Sequence, residues 1–259
     1  MKPRYVFLLV ILGLGIAAFM SPIVSPSPLD ILQNWGLMSI ILVTLTIGAF
    51  FFEFEAKATG SKEIALVGIL GTVSAVVRIP FAAIPSVQPC TYLIICSGYV
   101  FGPLPGFMVG ATTALVSNFF LGQGPWTIYQ MFAWGMAGVT ASYLRRFNPD
   151  RKKLIAFGIL WGYIFGAIVN IWFWSAFIYP LTPRTFIISQ LNSLWFDTAH
   201  AVANAIFLGL LGKKTIIILE RFHRKLQWKA LGQGLTDVVD LHKARLLPAL
   251  STGVTVPIN

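Results

Sequence analysis

Charge is scarce in this chain. Only 11% of its 259 residues are Asp, Glu, Lys or Arg, against about 25% in ordinary soluble domains. Acidic groups are the scarcer kind, 9 against 19 basic ones. Cysteine is nearly absent. Cys90 and Cys96 are the two present, which excludes a disulfide framework, and with 3 histidines in all there is no clustered Cys/His metal centre. Both cysteines read as small apolar packing residues. The motifs of common catalysis are missing too: no His-Glu pair of a metalloprotease helix and no Gly-x-Ser-x-Gly nucleophile turn. Leu211 to Thr215 imitates the end of a phosphate-binding loop. Phe207 stands where its first glycine should be, and Lys214 replaces the hydroxyl residue. ATP hydrolysis by that route is excluded, so any ATPase serving this chain is another polypeptide. No cofactor is expected.

Apolar residues fill the space that charge leaves. They make up 56% of the chain, in several runs approaching the ~20 residues that span ~30 Å of hydrocarbon. The expected fold class is all-α, a polytopic bundle of membrane helices. Two helices come first, at 5–20 and from about 35 to 52. The first could be a signal peptide. Its exit, Ala17 to Pro22, lacks a small-x-small cleavage site, which favours an uncleaved helix. Six core helices follow, at about 64–79, 91–101, 107–121, 126–143, 154–178 and 187–211. The expected division is a membrane extension over 1–56, a core over 57–214 and a basic tail over 215–259. With both termini in the cytoplasm, all but Arg78 and Arg184 of the 19 basic residues fall on the inner side. The net charge of +10 is therefore a topology signal. No basic-aromatic surface suited to nucleic acid is visible.

Polar residues then gather near the outer ends of the core helices. Arg78 ends one helix, and Gln88 and Thr91 belong to the loop after it. Asn118 and Gln123 flank the break Gly122-Gln123-Gly124-Pro125. Trp126, Gln130 and Trp134 recur every four residues and share a helix face. That face reads either as a ligand wall or as an interfacial aromatic belt. Asn170 and Trp174 share another face, and Asp197, His200 and Asn204 form a stripe on the last helix. A carboxylate and an imidazole inside a span are costly. They read as a ligand site, as a structural pair (with Arg78 a candidate partner), or as a proton path.

Three pieces in order carry a family resemblance: Gly102-Pro-Leu-Pro-Gly106 ahead of a small-residue helix, then Gly122-Gln-Gly-Pro-Trp-Thr127, then Gln130-Met-Phe-Ala-Trp-Gly-Met-Ala-Gly138. From about Glu63 to Lys214 the chain resembles the substrate-binding membrane subunit, the S component, of energy-coupling factor (ECF) vitamin transporters. The resemblance implies an S component in the cell membrane, with a coupling membrane subunit and two cytoplasmic ATPases as partners. It implies capture of a water-soluble vitamin from outside. The Gln-Gly-Pro-Trp segment resembles corrinoid (cobalamin) binders most, with riboflavin, folate, pantothenate and thiamine open. In that family the first core helix docks the coupling subunit through small residues. The matching positions are Gly68, Gly71, Thr72 and Ala75, where glycine and threonine replace some alanines. On physics alone the same small face could pack within the chain. Two other functions stay open: a proton-coupled secondary transporter using Asp197 and His200, and a membrane scaffold without ligand.

Overall fold

The computed structural model describes residues 35–56 and 61–225, with Val10 and Gly13 as isolated positions. The expected helix at 5–20, its Pro/Ser-rich loop and the tail beyond Lys225 lie outside the described residues. The described residues up to Leu219 form one compact unit. In 220–259 the described part, 220–225, is helical.

The described residues are helical and contain no strand: α1 (Trp35–Ala56), α2 (Ser61–Arg78), α3 (Cys90–Phe101), α4 (Pro103–Leu121), α5 (Trp126–Leu144), α6 (Arg151–Phe177) and α7 (Pro183–Phe207). Among them, four stretches are long and apolar enough to cross a membrane: Lys62–Ala83, Pro103–Leu121, Arg151–Phe177 and Pro183–Lys225. α3 has 12 residues, roughly 18 Å of rise, too short to cross alone. Most of its residues are buried, enclosed by α2, α4 and α5.

Proline and glycine set the boundaries. Gly102, at φ 97°, ends α3 in a conformation L side chains avoid. α4 then starts at once with Pro103 in its first turn, where a missing N–H costs nothing. The helix expected from Phe107 therefore begins one turn earlier. The stretch after Arg78, expected to be non-helical, opens with a 3-10 turn at Ile79–Ala83. Thr91, expected at the junction of that stretch and the next helix, sits in the first turn of α3. Thr182 caps α7 through a reciprocal pair with Thr185. α7 does not stop near Leu211. It passes through a π turn at Leu208–Gly212 and stays helical to Lys225, since Thr215 to Leu219 carry no breaker.

Close packing follows the small residues. A Cβ on Gly106 would strike the backbone of Gly98 and Gly138, so α3, α4 and α5 meet there backbone to backbone. On α6, Gly158, Gly162 and Gly166 recur every four residues and receive Leu208, Ala201 and Asp197 of the α7 segment. α1 joins the core through Phe50, whose ring stacks on Phe107 at 3.9 Å and 7°.

Candidate functional site

Arg78 is 6% exposed. Its Nε donates to Gln88 Oε1 at 2.8 Å, and its Nη1 donates to Ser117 Oγ at 2.5 Å and Asn118 Oδ1 at 2.7 Å. Its guanidinium carbon lies 4.8 Å from the centroid of the Trp134 ring, within cation–π range. No carboxylate pairs with it among the described residues. A buried cation is therefore held by neutral acceptors and one aromatic face. Asn118 passes the network on, its amide donating to Thr127 Oγ1 at 2.9 Å and Gln130 Oε1 at 2.8 Å. Thr127 donates to Gln123 Oε1, and Gln123 donates to the Leu115 carbonyl. This layer ties the ends of α2, α4 and α5 together.

Thr91 links the layer to α7. Trp134 Nε1 donates to Thr91 Oγ1 at 3.0 Å, and Thr91 Oγ1 lies 2.8 Å from His200 Nε2. An indole N–H can only donate, so the Thr91 oxygen accepts there. Its second contact, to His200 Nε2, runs in the direction that the imidazole tautomer sets. Phe165 packs between Trp134 (4.6 Å between centroids) and the His200 ring (4.8 Å).

On the far side of Phe165 and His200 lies a cavity of about 210 Å³. The carboxyl-terminal half of α6 supplies Phe165, Gly166, Val169, Asn170, Trp172 and Phe173; α7 supplies Ser193, Phe196, Asp197 and His200; and the turn before α3 supplies Ser86 and Gln88. Ser86 holds φ 60° there, the left-handed region that serine seldom adopts. Asp197 Oδ2 accepts from Ser193 Oγ at 2.9 Å. A Cβ on Gly166 would meet the Asp197 carboxyl group, so the glycine makes room for that side chain.

The twelve candidate binding residues divide accordingly. Gln88, Asn170, Asp197 and His200 line the cavity together. Arg78, Asn118, Gln123, Gln130 and Trp134 belong to the layer behind it, bonded to one another or to the protein. Trp126 sits edge-on to the wall residue Trp172 at 5.2 Å. Two lie apart from the cavity. Trp174 donates to Thr185 Oγ1, and buried Asn204 donates to the Gly158 carbonyl. The four docking candidates also divide. Gly71 packs against Thr112 and Ala75 is fully buried, so both face the interior. Gly68 and Thr72 face outward, with nothing within 4 Å of the position of a Gly68 Cβ.

The cavity walls that the sequence reading missed had a signal. Gly166, Val169, Asn170 and Phe173 lie at i, i+3, i+4 and i+7, and so do Ser193, Phe196, Asp197 and His200. The two facing stripes share that spacing, each with one small and several large or polar members.

Comparison with known proteins bears on this bundle directly. The family model of the ECF transporter substrate-specific component matches residues 62–212. A protein of Lacticaseibacillus casei (strain BL23), named UPF0397 protein, is 27% identical over 178 residues, 64% of this chain and 90% of that protein. No solved structure matches. The matched span runs from the first turn of α2 to the π turn of α7, taking in both layers of the site. The chain is a multi-pass membrane protein and belongs to the ECF transporter substrate-specific component family, whose members bind the substrate for an importer assembled with ECF membrane and ATPase subunits.

Proposed function

We propose that this chain captures a small water-soluble metabolite in the cavity between α6, α7 and the Ser86–Gln88 turn, for ATP-driven uptake by its partner subunits. One observation carries the reading. Four polar side chains, Gln88, Asn170, Asp197 and His200, converge on a space walled by Phe165, Trp172, Phe173 and Phe196. Ligand pockets have this makeup, apolar and aromatic walls with a few placed polar groups. The size is also informative. At about 210 Å³ the cavity lies below the ~300–1,000 Å³ of drug-sized sites. A corrinoid is far larger, so a compact ligand replaces the corrinoid expectation. A proton path has less support, because Asp197 and His200 bond to Ser193 and Thr91 and not to each other.

The positive-inside rule, applied to the basic loops, supports an outer-half position for the cavity. The open face of α2, with Gly68 and Thr72 beside exposed Ile69, Val73 and Val76, is the docking face for the coupling subunit. The reading is tested by mass spectrometry of what stays bound to the protein purified in mild detergent. Val169→Trp, which fills the cavity, is the control. A small metabolite retained by the wild type and lost from a monodisperse variant is expected. Equal retention by both would put the site elsewhere.

A further inference from the structure

Within the proposed cavity, we infer that the substrate is a small organic cation, recognised by the Asp197 carboxylate and the surrounding aromatic rings. The inference rests on the cavity being the substrate site. Asp197 is the single Asp, Glu, Lys or Arg on the wall. It accepts from the neutral hydroxyl of Ser193, and no cationic side chain pairs with it among the described residues. A carboxylate within a membrane bundle is costly unless something balances it. The described residues do not supply that balance, and a bound cation would. The rest of the wall suits the same charge. Phe165, Trp172, Phe173 and Phe196 present ring faces or edges to the space, and aromatic cages with a carboxylate are the usual means of holding an ammonium or a quaternary nitrogen.

The neighbouring charges do not favour an anion. His200 Nε2 is engaged by Thr91 Oγ1 at 2.8 Å, on the side away from a ligand. Arg78 does not line the cavity. Its Nε and Nη1 are occupied by Gln88, Ser117 and Asn118, and the Trp134 ring covers its face.

Three probes of one shape test the inference on the full chain in detergent: choline, its neutral isostere 3,3-dimethylbutanol, and the anion 3,3-dimethylbutyrate. Binding is measured by titration calorimetry for the wild type, Asp197→Asn and Val169→Trp. Choline is expected to bind the wild type at least about tenfold tighter than the neutral isostere. That preference should shrink to about twofold or less in Asp197→Asn, which keeps the shape and loses the charge. Equal affinity for all three probes, preference for the anion, or no saturable choline binding overturns the inference. Val169→Trp separates it from the reading beneath. If that variant loses the probes while Asp197→Asn leaves their order unchanged, the cavity stands and the cation falls. Choline binding that survives Val169→Trp overturns both.

Discussion

Removing an acceptor from Arg78 should harm this protein more than removing the charge itself. Asn118→Ala deletes three hydrogen bonds: one accepted from Arg78 at 2.7 Å, and two donated to Thr127 and Gln130. The bond to the charged group is worth about 1.5–3 kcal/mol and the neutral ones about 0.5–1.5 each. The variant also leaves a buried cation short of an acceptor, at a cost above the ~1–3 kcal/mol of a neutral unsatisfied group. Arg78→Met deletes the charge along with its bonds, so the desolvation cost disappears with it. The orphaned acceptors differ in severity. Ser117 keeps its bond to the Thr113 carbonyl, and Gln88 can turn toward the cavity it lines. Asn118 Oδ1 is left unpaired, at about 1–3 kcal/mol. The expected order of stability is therefore wild type, Arg78→Met, then Asn118→Ala, with the double variant no worse than Asn118→Ala. Buried Cys90 and Cys96 provide the assay. A thiol-reactive fluorophore reaches them on unfolding, and apparent melting temperatures give the order. If Arg78→Met melts as low as Asn118→Ala or lower, the guanidinium contributes net stability, and the argument from an unbalanced buried charge is refuted.

Much of the fold was legible because its punctuation is local. Gly102-Pro103, Gly122 to Pro125, Asn148-Pro149 and Thr182-Pro183 each end or start a helix through their own backbone chemistry. The site was less legible, for a reason particular to membranes. Lipid-facing and cavity-facing walls are both apolar, so periodicity marks which residues share a face and not which way the face points. Trp126, Gln130 and Trp134 do share a face of α5. Trp134 is nonetheless fully buried, taken by Arg78 and Phe165. On α6 the polar Asn170 stands out in the sequence, whereas its cavity neighbours Gly166, Val169 and Phe173 have the composition of any lipid-facing turn. On α7 the stripe divides: Asp197 and His200 line the cavity, while Asn204 turns to the Gly158 carbonyl. The long-range pairs, Arg78 with Asn118 and Thr91 with His200, join residues far apart in sequence. No local pattern encodes them.

Three further predictions concern topology, the extension helix and docking. Single cysteines at Gln123 and Thr182 should react with an impermeant thiol reagent from outside and one at Asn148 should not; the reverse pattern would invert the orientation. Phe50→Ala should lower the melting temperature by the loss of its stack on Phe107, about 0.5–1.5 kcal/mol for the aromatic pair, without changing substrate affinity; an unchanged melting temperature would mean that α1 contributes nothing to core stability. The docking face allows a paired test, because neighbouring small residues of α2 point opposite ways. Gly68 has open space around it, while a Cβ on Gly71 would meet Thr112 at 2.8 Å. Gly71→Leu therefore overpacks the α2–α4 contact, at about 1–3 kcal/mol, and should lower the melting temperature of the isolated subunit. Gly68→Leu and Thr72→Leu should leave that temperature and ligand binding unchanged, yet block transport and co-purification with the coupling subunit. If Gly68→Leu and Thr72→Leu transport normally, the open face of α2 meets lipid, and the coupling subunit docks elsewhere on the bundle.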